Sequence, residues 1–244
     1  MENPPGISVR NLSLTYAGQV VFENLSLDIA PRNFVALLGP SGVGKTSLLR
    51  IIAGLEPQVS GSIAATDGQN LAGRIAYMGQ QDLLYPWANV LDNVMLGARL
   101  RGETKQPDRA RHLLERVGLA GRERALPSAL SGGMRQRAAL ARTLYEQRPV
   151  VLMDEPFSAL DAITRARIQD LASELLAGCT VLLITHDPLE ACRLGHHLVV
   201  LSGQPARLGA PISVPGLPPR AIDDELVLHT QGRLMRMLAE GAAE

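Results

Sequence analysis

Residues Gly39, Pro40, Ser41, Gly42, Val43, Gly44, Lys45 and Thr46 fit the pattern GxxxxGK[ST], and Ser47 adds a second hydroxyl directly after it. An apolar run ending at Leu38 precedes the pattern, and Leu48, Leu49, Ile51 and Ile52 follow at helical spacing, closed by Gly54. Strand, glycine loop and helix are the context in which this pattern has a mechanism. Glycines let the backbone curl until several N–H groups converge, and the helix N-terminus adds partial positive charge at the same place, so the loop is a cradle for phosphate oxygens. Lys45 would reach the β- and γ-phosphates as a mobile point charge, and the Thr46 hydroxyl would ligate Mg²⁺. Of the 24 lysines and arginines only Lys45 and Lys105 are lysine. A chain that otherwise uses arginine keeps lysine where a planar guanidinium would be too bulky to sit inside the loop.

Two further segments carry candidate chemistry. Asp154 and Glu155 stand at the end of the apolar run Val150 to Met153. Beside a phosphate loop, Asp154 suits the Mg²⁺ side of the site and Glu155 suits polarising an attacking water. In Leu130 to Arg137, Ser131 is a natural helix N-cap, while Gly132 and Gly133 leave the first N–H groups of that helix uncovered, making a second place where an anion fits.

The elements that must hold these residues follow from hydrophobic periodicity. Ile7, Val9, Leu12, Leu14 and Tyr16, then Leu25, Leu27 and Ile29, recur at mostly alternate positions, predicting antiparallel strands with one wet face. Phe34 to Leu38, Val150 to Met153 and Val181 to Ile184 are continuously apolar, as in a parallel sheet covered on both faces. Ligands of open α/β sheets bind at the carboxyl ends of such strands. From Asp82 to Arg148 the pattern is helical, with Pro107 at a first helical position and Gly118 as a C-cap. Residues 82–148 are therefore expected to form a helical subdomain inserted in one α/β domain spanning 1–244. Beyond Gly203 five prolines predict an extended linker within 203–244, and the last helix is expected from about Asp223 to Glu240.

The 244 residues carry 24 Lys+Arg against 24 Asp+Glu, so the formal charge is zero. A neutral chain with 3% aromatic residues offers no electrostatic or stacking case for nucleic acid, and none is expected as a partner. No apolar run approaches the ~20 residues of a membrane span, and the N-terminus lacks a secretory pattern. Cys179 and Cys192 have no ligand spacing and are expected as small packing residues of a reducing compartment. The arginines from Arg99 to Arg124 are expected on a solvated helical face. His112, His196, His197 and His229 match no motif.

Taken together, the segments from Ile7 to Leu208 resemble the ATP-binding subunit of an ABC transporter. Leu130-Ser-Gly-Gly133 resembles that family's signature and lies in the family's order between the phosphate loop and the acidic strand. The resemblance implies an α/β P-loop NTPase core of ABC type, mostly a parallel sheet with an N-terminal antiparallel part, plus the inserted helical subdomain. It also implies ATP hydrolysis with Mg²⁺. Tyr16 resembles the aromatic that stacks on adenine, and Gln80 resembles the glutamine that senses Mg²⁺ and the γ-phosphate. Ser158-Ala-Leu-Asp161 resembles the loop that crosses the dimer interface, and His186 resembles the switch histidine. Gly79 stands before Gln80 where phenylalanine is common, and Gln81 leaves the register open by one; Gln80 keeps the family distance to Pro86-Trp87.

The catalytic set implied is Lys45, Gln80, Glu155 and His186, the metal set Thr46, Gln80 and Asp154, and the ATP-binding set Tyr16, residues 39–47 and Ser131 to Gly133. The implied partners are a second copy of the chain, a transmembrane permease and, indirectly, a substrate-binding protein. The place is the cytoplasmic side of the inner membrane. Leu84-Tyr-Pro-Trp87 and Gln204-Pro-Ala-Arg207 resemble the ATPases of nitrate, sulfonate and taurine importers. A soluble ATPase of the same family, acting in nucleic-acid repair or translation, is the competing reading. Such chains carry a long insertion or two cassettes, whereas Thr46 to Leu130 is short. A small-molecule phosphotransferase would share the phosphate loop without needing the other motifs.

Overall fold

The computed structural model describes residues 3–57 and 60–241. The ends of the expected single-domain span, residues 1–2 and 242–244, lie outside them. Strands β1 (Ile7–Tyr16) and β2 (Gln19–Ile29) form a hairpin, and together with β4 (Ser60–Ala65) they make a three-stranded antiparallel sheet in the order β2-β1-β4. Their alternating Ile7, Val9, Leu12, Leu25, Leu27 and Ile29 point into one core. That core also takes Leu48, Leu49, Ile51 and Ile52 of helix α1 (Lys45–Ile52) and Val35 and Leu37 of β3 (Phe34–Leu38). Helix α1 is thus buried between two sheets, each of its four large side chains contributing about 1.5–3 kcal/mol of burial, and the loop before it is held from both sides.

The central sheet has the order β10-β8-β3-β7-β6-β5, with β5 (Ile75–Met78), β6 (Val150–Asp154), β7 (Thr180–Ile184) and β8 (His197–Ser202) parallel to β3. The unbroken apolar runs are explained by the two faces they serve. Val151, Met153, Val181 and Leu183 pack into one core, and Val150, Leu152, Leu182 and Ile184 into the other. In register, Leu37 pairs with Ile184, Ile184 with Asp154, and Met153 with Met78. The carboxyl ends of β3, β7, β6 and β5 therefore come out along one edge. Between β5 and β6 lie α2 (Val90–Val94), α3 (Leu96–Leu100), α4 (Pro107–Arg116) and α5 (Gly132–Tyr145). After β6 come α6 (Ala162–Leu175), and after β7 α7 (Pro188–Leu194).

Three expectations differ from what forms. Helix starts at Val90, not at Asp82, because side chains satisfy the backbone of the intervening turn: Asp82 Oδ1 accepts from Leu84 N at 3.1 Å, and Asn89 Oδ1 caps α2 from Asp92 N at 2.8 Å. The Pro-rich stretch is docked, not extended: β9 (Arg207–Leu208) and β10 (Ile212–Ser213) both pair antiparallel with β8, and β10 lies at the sheet edge, where nearby proline does no harm. The final helix, α8 (Glu225–Gly241), packs Val227 and Leu234 against Ala36, Leu38 and Cys192. Finally, Arg109 is only partly solvated. It donates to the Leu144 and Tyr145 carbonyls at 3.2 and 2.7 Å and lies 4.7 Å over the Tyr145 ring, joining α4 to α5.

Candidate functional site

At the end of β3 the chain turns through Gly39, whose φ of +153° and closeness to the Leu201 carbonyl leave no room for a Cβ. Gly44, at φ +105°, caps α1 under Val21 and Phe22 of β2, where a Cβ would sit 2.6 Å from the Val21 side chain. These two positions require glycine. Within the loop the Lys45 ammonium donates to the Gly39 and Pro40 carbonyls, both at 2.8 Å, and the residue is 8% exposed. Burial pulls the Lys45 pKa below the usual lysine range, against the opposing charges of Glu155 and Asp154.

Asp154 is 2% exposed and accepts from the Thr46 hydroxyl at 2.8 Å. Burial pushes its pKa above the usual carboxylate range, with Glu155 adding to the effect and Thr46 and Lys45 resisting it. A hard divalent cation fits this place. The donors are oxygens, as Mg²⁺ prefers, and its charge would reverse the cost of keeping Asp154 ionised.

Glu155 is the point at which the other motifs meet. Its Oε2 accepts from Gln80 Nε2 at 3.3 Å and lies 3.2 Å from His186 Nδ1. Gln80 arrives on the segment after β5 and His186 on the segment after β7, the neighbours of β6 on either side. Glu155 itself has φ +48°, a left-handed backbone that costs a non-glycine residue on the order of 1–3 kcal/mol. Hydrogen bonds over-determine it: Glu155 N donates to Ile184 O at 2.9 Å, and Glu155 O accepts from Gln136 Nε2 and Ser158 Oγ, each at 3.0 Å.

Gln136 is a residue that sequence reasoning missed. It is buried in α5, and its Oε1 accepts from Ala159 N at 2.8 Å, so one amide fastens the Glu155 backbone and the 158–161 loop to the helix that Ser131 opens. Nothing in its spacing sets it apart from other polar residues of that helix. Ser131 caps α5 by accepting from Met134 N at 3.3 Å, and a Cβ on Gly133 would stand 3.0 Å from the Ala159 carbonyl. Among the described residues no hydrogen bond joins Ser131, Gly132 or Gly133 to the 39–47 loop. Of the three, Gly132 lines a groove of about 400 Å³ with Gln80, Asp82, Arg135 and Ser158 on its walls. Tyr16, at the tip of the β1–β2 hairpin, is 76% exposed.

Beyond Gln80 the chain presents Leu83, Tyr85 and Trp87 to solvent, with the Tyr85 and Trp87 rings 5.0 Å apart. Their backbone is fixed from beneath. Arg142 donates to the Asp82 and Leu83 carbonyls at 2.6 and 2.8 Å, and Asp82 Oδ2 accepts from Arg135 at 3.0 Å. Asn93, fully buried, accepts from Tyr85 N at 2.7 Å and donates to the Tyr85, Ala88 and Asn89 carbonyls.

Comparison with known proteins places this arrangement. The family profile described as ABC transporter matches residues 22–158. An aliphatic sulfonates import ATP-binding protein, SsuB 1 of Rhodococcus jostii, is 48% identical over 204 residues, 83% of this chain and 81% of that protein. An uncharacterized ABC transporter ATP-binding protein of Haemophilus influenzae is 44% identical over 95% of this chain and 98% of its own length. Among solved structures, the ATP-binding cassette MJ0796, a dimer in a post-hydrolysis state bound to ADP and Pi, superposes with a TM-score of 0.77 at 29% identity. The match covers 86% of this chain and all of that one.

Proposed function

The chain belongs to the ABC transporter family as an ATP-binding subunit, and from that premise we propose that two copies of it hydrolyse ATP at their interface to drive solute import through a membrane permease. The observation that carries the reading is the convergence of Gln80 and His186 on Glu155, along the sheet edge that also delivers the phosphate loop. Convergent loop N–H groups from Gly39 to Ser47 and the Lys45 ammonium would bind the β- and γ-phosphates, with phosphate oxygens replacing the carbonyls that now hold Lys45. Thr46, Asp154 and Gln80 would hold Mg²⁺, which neutralises charge on the phosphoryl oxygens. Glu155 would polarise the attacking water, kept in place by Gln80 and His186. Tyr16 has a free ring face for adenine.

Among the described residues Ser131, Gly132 and Gly133 make no hydrogen bond to their own phosphate loop, which supports a role at the nucleotide of a second copy. The solved relative described as dimeric points the same way. Leu83, Tyr85 and Trp87, rigid and exposed beside Gln80, suit a permease contact that feels the state of the site. No helix among the described residues is long and apolar enough to cross a membrane, so the permease would supply the pore. This subunit would sit peripherally on the cytoplasmic side of the inner membrane. Relatives named for aliphatic sulfonate import support the direction. Solute choice would belong to the permease and a substrate-binding protein. Lys45→Ala should lower ATP turnover at least ~100-fold, and Glu155→Gln should accumulate as an ATP-dependent dimer on size exclusion. Retained turnover in the first, or a monomer at saturating ATP in the second, would overturn the assignment.

A further inference from the structure

A helix joins the carbonyl of one residue to the N–H of the fourth residue after it. Glu155 O and Ala159 N have that spacing, and the turn after β6 leaves them open to each other, because Ser158 N closes on Glu155 O one residue earlier, at 3.3 Å. The Gln136 amide stands in the gap. Its Nε2 donates to Glu155 O at 3.0 Å, and its Oε1 accepts from Ala159 N at 2.8 Å. A carbonyl only accepts and a backbone N–H only donates, so these two partners fix which way round the amide lies. The Ser158 hydroxyl completes the arrangement, donating to Glu155 O at 3.0 Å and accepting from Gln136 Nε2 at 3.3 Å. One side-chain amide thus plays the part of a peptide group in an opened turn.

The base of this bridge is firm. Gln136 is buried, and Ala138, Ala139, Leu140 and Ala141 after it lie in the core that one face of β6 and β7 also serves. Gly133 comes one turn earlier on the same face of α5. Its missing side chain lets the Ala159 carbonyl approach to 3.0 Å from where a Cβ would stand. From α6, Arg165 donates to the Phe157 and Leu160 carbonyls at 3.3 and 2.8 Å, and the Phe157 side chain is fully buried. Those ties do not involve Gln136 and keep the rest of the turn anchored when its amide is removed.

What the bridge decides is the direction of a side chain. Glu155 N is bonded to Ile184 O of β7 at 2.9 Å, and the Glu155 carbonyl is held from α5. With both peptide groups fixed and φ at +48°, the Cα–Cβ bond has one direction. It is the direction that carries Oε2 to 3.3 Å from Gln80 Nε2 and 3.2 Å from His186 Nδ1. We propose that Gln136 is a positioning residue, which by bridging Glu155 O and Ala159 N aims the Glu155 carboxylate and so sets the rate of ATP hydrolysis. The consequence for the rate rests on the reading of Glu155 as the group that polarises the attacking water.

Gln136→Met keeps the length of the side chain and removes both bonds, and Gln136→Asn keeps the amide but is one methylene short of spanning the two groups. The test measures MgATP turnover of the full chain together with the ¹³C-carboxyl resonance of Glu155, assigned against Glu155→Gln. Both variants should lower kcat about ten- to hundredfold, as misplacement of a reacting group does. KM should stay within about twofold, and the Glu155 resonance should move. A folded variant whose Glu155 resonance stays put overturns the proposal, whatever its kcat or melting temperature. So does a moved resonance with wild-type kcat, in a protein that Glu155→Gln inactivates. If Glu155→Gln itself keeps wild-type kcat, the catalytic reading falls, and the resonance alone decides whether Gln136 aims the carboxylate.

Discussion

Glu190→Gln should reshape how stability depends on pH. Burial lifts the Glu190 pKa from the ordinary 4.5 to about 7, with Asp187 adding to the rise and Thr185, Gln169 and Arg165 resisting it. The folded protein therefore holds this proton more tightly than the unfolded chain. A carboxyl of that kind contributes stability fully below about pH 4.5, loses it as pH rises toward 7, and is flat above. At about 1.4 kcal/mol per pH unit the loss amounts to roughly 3 kcal/mol by pH 8. Glutamine does not titrate. Urea unfolding of both proteins from pH 5 to 8 should thus show the variant gaining on wild type by roughly 2–3 kcal/mol across the range, whatever its offset at pH 5. Asp154, raised by burial, and His196, lowered by burial, tilt the two curves in opposite senses. Both are common to the two proteins and cancel in the difference. A difference flat to within about 0.5 kcal/mol would mean that Glu190 is ionised in the fold at neutral pH, and the reasoning from its burial would be wrong.

Two other outcomes are expected. Trp87 is the single tryptophan of the chain and is 75% exposed; mixing with the permease should move its emission to shorter wavelength, and an unchanged spectrum in a purified complex would remove the 83–87 surface from the contact. Arg220 is buried with its five N–H groups shared among the carbonyls of Cys192, Arg193, Gly195, Val214, Pro215 and Gly216. Arg220→Met removes the side-chain donor to those oxygens and should cost at least ~3 kcal/mol in chemical denaturation, with a loss under ~1 kcal/mol showing that water replaces the guanidinium.

The phosphate loop, the acidic strand end and the signature were legible because each carries a local grammar: Lys45 needs its glycines next to it in sequence, and Asp154 needs only the apolar run before it. The strands were legible for the same reason, since two-sided burial leaves no polar residue between Val181 and Ile184. What the sequence did not display is pairing across distance. Gln136 and Glu190 look like any polar residue of a helix, and their surroundings appear only when the fold sets Ala159 and Gln169 against them. The prolines after Gly203 misled because they report local stiffness and say nothing of Ile212 and Val214, which pair and pack against β8 in spite of them. Arg109 misled through its neighbours, being a half-buried cation in a sequence run of mostly exposed ones.

The site is built with two degrees of firmness. The half proposed to hold phosphate is tied together within its own loop, where Lys45 donates to the Gly39 and Pro40 carbonyls. The half made by Gln80 and His186 leans on a single oxygen of Glu155. A ligand that fills just the firm half satisfies the loop and leaves the light half where it was. On the proposed reading, telling a triphosphate from a diphosphate would fall to these two side chains, which a single competing contact can release.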